Sequence, residues 1–166
     1  MAYAVKYRIE YKRLSEGLTT IDILDSAGSA SITDLTALGN PFETSYQCDP
    51  NNIYEPTIGT GAVIRILATP LTLLGLFTSD PQKFMVKAYH GATGVNLFWQ
   101  GFISPEVISE NYSYSTSLEV PIEIVCNDGM QVLGYIKYKT ALDAYYTGTV
   151  TIGAIFTNIL GKLGVT

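Results

Sequence analysis

The chain has 166 residues, of which 47% are hydrophobic and only 15% are charged, and its formal net charge at pH 7 is −5. This length is enough for one hydrophobic core with an appendage. The negative charge argues against a general nucleic-acid-binding protein, which needs a basic surface. The low charged fraction and the 12 tyrosines are typical of a protein that buries part of its surface against partners.

The predicted elements begin with a strand over residues 3–12, in which apolar and charged side chains alternate. The apolar face contains Tyr3, Val5, Tyr7, Ile9 and Tyr11, and the charged face contains Lys6, Arg8, Glu10 and Lys12. One face is therefore expected to be buried, while the other meets solvent or a partner.

Turn signals divide the rest of the first 127 residues into further strands. Residues 31–52 are less regular than the others, with a strong turn signal at Gly39-Asn40-Pro41. The predicted strands are residues 18–24, 42–48, 58–68, 84–89, 95–103 and 118–126. Their regular spacing predicts an antiparallel β-barrel or sandwich. The side chains expected in its core are Val5, Ile9, Ile64, Ile66, Leu97, Ile122 and Ile124.

The character of the sequence changes at Asn127-Asp128-Gly129, which ends the last strand. We expect Gly129 to adopt a positive φ, which only glycine adopts readily, with a first helical turn over residues 130–133. The chain accordingly divides into a β-barrel or tube-like domain, 1–129, and a helical extension, 130–166. The extension would be the start of a further domain if the natural chain continues.

The last predicted element is a helix that begins after Thr151 as N-cap and ends at Gly164. Its apolar stripe consists of Ile152, Ile155, Phe156, Ile159, Leu160 and Leu163. Such a stripe requires a covering surface, which is either the chain's own barrel or a partner.

No pattern of residues indicates an active site or a metal site, and we expect neither enzymatic activity nor a cofactor. His90 is the single histidine and is expected to be structural, because no nucleophile stands in a recognisable motif near it. Cys48 and Cys126 match no metal spacing, and we expect two free thiols. The longest apolar run, residues 71–77, is far too short to span a membrane.

Five further stretches of the sequence are NPFETSY, GTGAVIRI, LFTSD, FWQGFISPEVISENY and PIEIVCNDGMQVLGYIKY. Together they resemble the amino-terminal region of hub or baseplate proteins of bacteriophage tails. In that family a strand ending in Trp-x-Gly leads to a second strand ending in Asp-Gly and then to a helix. The terminal TIGAIFTNILGKLGV is similar to the helix by which the family enters its next domain.

The resemblance implies a structural component of the virion tail that assembles in the bacterial cytoplasm. It implies a ring-forming homo-oligomer, commonly a trimer, which joins the tail tube to other tail or baseplate proteins. No catalytic residues carry over. Hub proteins are usually much longer than this chain, which leaves the oligomer open. The alternative is a ligand- or glycan-binding β module that uses Trp99 or the tyrosines at 112 and 114.

Assembly would bring the basic first strand against an acidic surface of a neighbour, with the terminal helix supplying the apolar area. Glu106 and Glu110 are further acidic candidates for that surface. The main interface candidates are Lys6, Arg8, Lys12, Glu119, Glu123, Ile155, Phe156 and Ile159.

Overall fold

The computed structural model describes residues 3–13, 17–28, 31–47, 59–110, 118–129 and 149–162, together with 139, 144, 145 and 147. The strands are β1 (Ala4–Arg13), β2 (Gly17–Asp25), β3 (Thr33–Gln47), β4 (Gly59–Ala68), β5 (Phe84–His90), β6 (Leu97–Glu110) and β7 (Val120–Asn127). The helices are α1 (Pro70–Leu76) and α2 (Ile152–Lys162). Predictions on Cys48, Tyr112, Tyr114, residues 130–133, Leu163 and Gly164 lie outside the described residues.

The seven strands form a closed barrel in the order β1-β2-β5-β6-β7-β4-β3. This confirms the predicted mainly-β barrel, and six of the seven neighbouring pairs are antiparallel as expected. β1 and β3 run parallel and pair from Tyr7–Thr33 to Ile9–Leu35. A closed ring with an odd number of strands cannot alternate direction at every step, so at least one neighbouring pair has to be parallel.

The barrel interior is filled by aliphatic side chains from facing strands. Ile9, Ile64, Ile66, Ile122 and Ile124 are all fully or almost fully buried there, as predicted. Alternation along β4 and β7 placed the last four of these residues correctly, because each strand has one interior and one exterior face.

Val5 is not in the barrel core, and the prediction that placed it there is wrong. β1 has a bulge between Val5 and Tyr7, where Val5 pairs with Leu24 and Tyr7 pairs with the adjacent Ile23. The extra residue reverses the alternation, so Tyr7 and Ile9 point inward while Val5 points outward. Val5 packs instead against a second cluster, formed by Leu24, Met85 and Phe102.

Leu97 was also predicted in the core and is instead 48% exposed. It is the first residue of β6, and a register shift between Ala88 and Tyr89 pairs it with Tyr89 at the end of the barrel. Trp99, two residues further along β6, is buried and packs edge-on against Phe42 of β3.

The opposite end of the barrel is closed by α1, which the sequence analysis recognised only as an apolar run. Thr69 caps the helix by accepting a hydrogen bond from the Thr72 amide, and Pro70 occupies the first turn. Leu76 is fully buried in the barrel core. Among the described side chains of this seven-residue helix, the Thr69 cap and the inserted Leu76 hold it in place.

Two further local predictions are wrong. Residues 31–41 belong largely to β3, and the Gly39-Asn40-Pro41 turn is an irregularity within that strand, where Asn40 has a φ of 36°. Gly129 has a helical backbone and not the predicted positive φ.

Candidate functional site

The charged face of β1 is matched by carboxylates of the same chain. The Lys6 ammonium lies 3.2 Å from an Asp25 carboxylate oxygen, and the Arg8 Nε lies 2.8 Å from Asp22. Lys12 is exposed at the end of the strand. Two of the three basic interface candidates therefore have an intramolecular counter-ion, and their role in an interface stays a prediction.

Asp22 lies on the outer face of β2 and yet is fully buried. Its second carboxylate oxygen accepts a hydrogen bond of 2.8 Å from the Thr93 hydroxyl, in the loop between β5 and β6. Thr20 donates to the Gly91 carbonyl oxygen of the same loop at 2.7 Å. The Asp22–Arg8 ion pair thus lies beneath this loop and helps to fix it on the barrel wall.

Asp25 forms a separate ion-pair centre at the end of β2. Lys6 and Lys83 both contact its carboxylate, and the Ala27 amide donates to it at 2.9 Å. Burial alone would raise the pKa of Asp25, but these hydrogen bonds outweigh it and lower the pKa below its usual value. Asp22 and Asp25 are therefore each paired with different cations.

Glu123, an acidic interface candidate, takes part in a surface network. Arg65 donates to Glu123 at 2.7 Å and to Glu43 at 2.9 Å, across three neighbouring strands. Glu119 lies exposed immediately before β7. The side chains of Glu106 and Glu110 are outside the described part of the structure.

The predicted terminal helix is present as α2, and it starts as expected. The Thr151 hydroxyl accepts a hydrogen bond from the Ala154 amide at 3.3 Å, which makes Thr151 the N-cap. The apolar stripe is only partly covered. Ile152 is 73% exposed and Phe156 is 62% exposed, and Ile155 and Ile159 are half-buried.

A second exposed apolar surface, which is not among the predicted interface residues, surrounds α1. Leu71 and Leu74 lie on the face of α1 opposite the inserted Leu76, and both are mostly exposed, as is the following Phe77. Ile32 precedes β3 and Leu118 precedes β7, and both are also exposed. We call these five residues the α1 patch. The i, i+3 spacing of Leu71, Leu74 and Phe77 was the available signal.

The α1 patch is one surface because of the barrel topology. The neighbouring strands β7, β4 and β3 all begin or end at this rim, where Ala68 of β4 pairs with Val120 of β7 and Leu67 pairs with Thr36 of β3. Leu118, α1 and Ile32 therefore leave the barrel next to one another.

The Trp-x-Gly and Asp-Gly sequences meet at the other end of the barrel. Trp99 Nε1 donates to the Thr60 hydroxyl, and Asp128 accepts hydrogen bonds from the Thr60 amide and hydroxyl. A side chain on Gly101 would collide with the Trp99 ring and with the Asn127 carbonyl oxygen. These residues tie β4, β6 and β7 together. Since Trp99 is buried in this network, it is not available as a sugar platform.

His90 and Cys126 occupy structural positions. The His90 ring stacks on Phe98 with centroids 4.0 Å apart. Cys126 is fully buried, and burial raises the pKa of its thiol. Among the described residues, no group of three or more histidine, cysteine or acidic side chains could hold a metal ion. In the same part of the chain, no helix is long and apolar enough to cross a membrane.

No protein-family model matches this chain, and no curated protein matches it at a significant level.

Proposed function

We propose that this chain is a structural assembly protein of a bacteriophage tail or a related injection machine, as a baseplate-hub or tube-like component without enzymatic activity. The observation that carries the proposal is the exposed apolar face of α2. Its partners are further copies of the same chain in a ring, with three as the expected number, and other tail or baseplate proteins. Its place is the virion tail, after assembly in the bacterial cytoplasm.

The physical argument starts from the length of α2. A helix of 11 residues is too short to be stable alone in water, where about 12–15 residues are needed even for favourable sequences. A helix of this kind gains its stability from packing its apolar face. Ile152 and Phe156 remain in solvent in the single chain, which supports the proposal that a partner supplies the packing surface.

The barrel supports the same function. Its interior is packed with isoleucines and closed at one end by Leu76 of α1 and at the other by the Trp99–Thr60–Asp128 network. Such a rigid body suits a component that transmits force between neighbours. The sequence resemblance to tail hub proteins is the reason for proposing a phage tail or a related injection machine in particular.

Light scattering of the purified chain over a range of micromolar concentrations tests the proposal. We expect the wild-type chain to form a defined homo-oligomer and the Phe156→Asp variant to remain monomeric. Thr157→Asp is the control, because it places the same charge on an exposed neighbouring position outside the apolar stripe. A wild-type chain that stays monomeric at every concentration would contradict the proposal.

A further inference from the structure

We infer that the partner surface for α2 is the α1 patch of a second copy of this chain. The inference rests on the proposed function, because it names the partner and the contact of the assembly proposed there. It concerns two surfaces that the single chain leaves open, one on the terminal helix and one on the barrel rim.

The two surfaces have matching chemistry. α2 exposes Ile152, Phe156 and Leu160, spaced four residues apart on one face. The α1 patch exposes two leucines of α1 and the phenylalanine that directly follows the helix, with Ile32 and Leu118 beside them. Both are rows of large aliphatic and aromatic groups, and burying them against one another removes apolar area from water on both sides.

The charges around these surfaces are also complementary. Asp34, Asp80 and Glu119 are exposed close to the α1 patch, in β3, in the loop after α1 and directly before β7. The single charged residue of α2 is a cation, Lys162 at its end. Two α2 helices packed on each other would bring their apolar faces together but would offer no acidic partner for Lys162. The acidic rim of the α1 patch therefore favours a helix-to-rim contact over a helix-to-helix contact.

A contact between two different surfaces of identical chains is heterologous. Each copy then donates its α2 to one neighbour and receives the α2 of another, so the contact repeats until a ring closes or a filament grows. This differs from a two-fold dimer, in which the same surface meets itself.

Mixing two single variants of the full chain distinguishes these arrangements. Leu74→Asp blocks the α1 patch and leaves α2 intact, and Phe156→Asp does the reverse. Leu74 is exposed and Leu76 supplies the buried contact, so the barrel should retain its fold, which circular dichroism checks. We expect each variant alone to sediment as a monomer and the equimolar mixture to form a one-to-one dimer that grows no further. Tyr46→Asp is the control, because Tyr46 is a comparably exposed residue at the opposite end of the barrel; it should assemble like the wild type.

The other outcomes separate this inference from the proposed function. If Leu74→Asp assembles normally while Phe156→Asp is monomeric, α2 mediates assembly through some other surface, and the inference is overturned while the proposed function stands. If the two monomeric variants fail to form a dimer on mixing, the helix-to-rim contact is overturned as well. A wild-type chain that never associates would overturn both proposals.

Discussion

The buried ion pair between Arg8 and Asp22 gives a prediction whose size follows from the structure. The Asp22 side chain is 1% exposed and that of Arg8 is 25% exposed. Arg8→Met leaves the Asp22 carboxylate buried without its cation. The carboxylate keeps the hydrogen bond that it accepts from the Thr93 hydroxyl. Removing one partner of a buried pair costs about 3–5 kcal/mol, and we expect a loss in this range.

The reverse change should cost less. Asp22→Leu leaves Arg8 without its counter-ion, but the guanidinium can reach water, so we expect a loss of about 2–3 kcal/mol. The double variant Arg8→Met/Asp22→Leu replaces both charges by apolar groups and should lie within about 1 kcal/mol of the wild type. The three variants form a double-mutant cycle with a large coupling energy.

Urea unfolding followed by tryptophan fluorescence measures all of these free energies. The chain has one tryptophan, Trp99, and its ring is buried in the barrel, so its emission reports directly on the loss of the core. Arg65→Met is the control, because Arg65 pairs with the half-exposed Glu43 and Glu123, and the loss there should be much smaller. A loss below about 1 kcal/mol for Arg8→Met, or a double variant as unstable as the sum of the single variants, would refute the reasoning.

Three further predictions concern the barrel. Ile122→Asp places a charge in the barrel core and should cost several kcal/mol, on the order of the total stability. A soluble variant with an unchanged melting temperature would contradict the placement of Ile122 in the core. Because the pKa of Asp25 is lowered by folding, its contribution to stability is present above the unfolded pKa of about 3.9 and is lost as the pH falls through the folded pKa. Asp25→Asn should therefore be less stable than the wild type at pH 7, and its free energy of unfolding, measured by urea titration, should fall less steeply as the pH is lowered. If the free energies of unfolding of the variant and the wild type run parallel with pH, Asp25 is not the group responsible. In a Cys48→Ser background, Cys126 should react with iodoacetamide only in denaturant, since its thiol is buried and its pKa is raised, and rapid labelling of the native chain would contradict this.

Residue alternation predicted much of the barrel because one face of each strand is buried. It placed Ile64, Ile66, Ile122 and Ile124 correctly, and the capping signal of Thr151 located the start of α2. The barrel class also followed, since short strands at regular spacing leave few other ways to bury their apolar faces.

Alternation failed where a bulge interrupts a strand without any sign in the sequence. Tyr3 and Val5 continue the pattern of Tyr7 and Ile9, so the sequence contains no sign of the bulge that sends Val5 outward to the second cluster. The parallel β1–β3 pairing depends on the number of strands in the closed barrel, which no local pattern encodes. The α1 patch was missed for a different reason. Its residues are far apart in the sequence, and only the barrel order brings them to one rim.

The charged candidates show a further limit of sequence patterns. A basic row on β1 indicated a surface for a partner, but the sequence did not reveal that Asp22 and Asp25 of the adjacent strand reach Arg8 and Lys6. Pairing across β1 and β2 depends on the register, which the bulge between Val5 and Tyr7 shifts.

The central claim is that the exposed face of α2 is an assembly surface. Amide hydrogen exchange of α2 at low and high protein concentration tests this claim most directly. In the single chain, a short helix with exposed Ile152 and Phe156 should exchange rapidly. We predict that exchange of residues 152–162 becomes markedly slower as the concentration rises, while the amides of the barrel strands keep their protection. Exchange of α2 that is slow at low concentration, or equally fast at every concentration, would contradict the account.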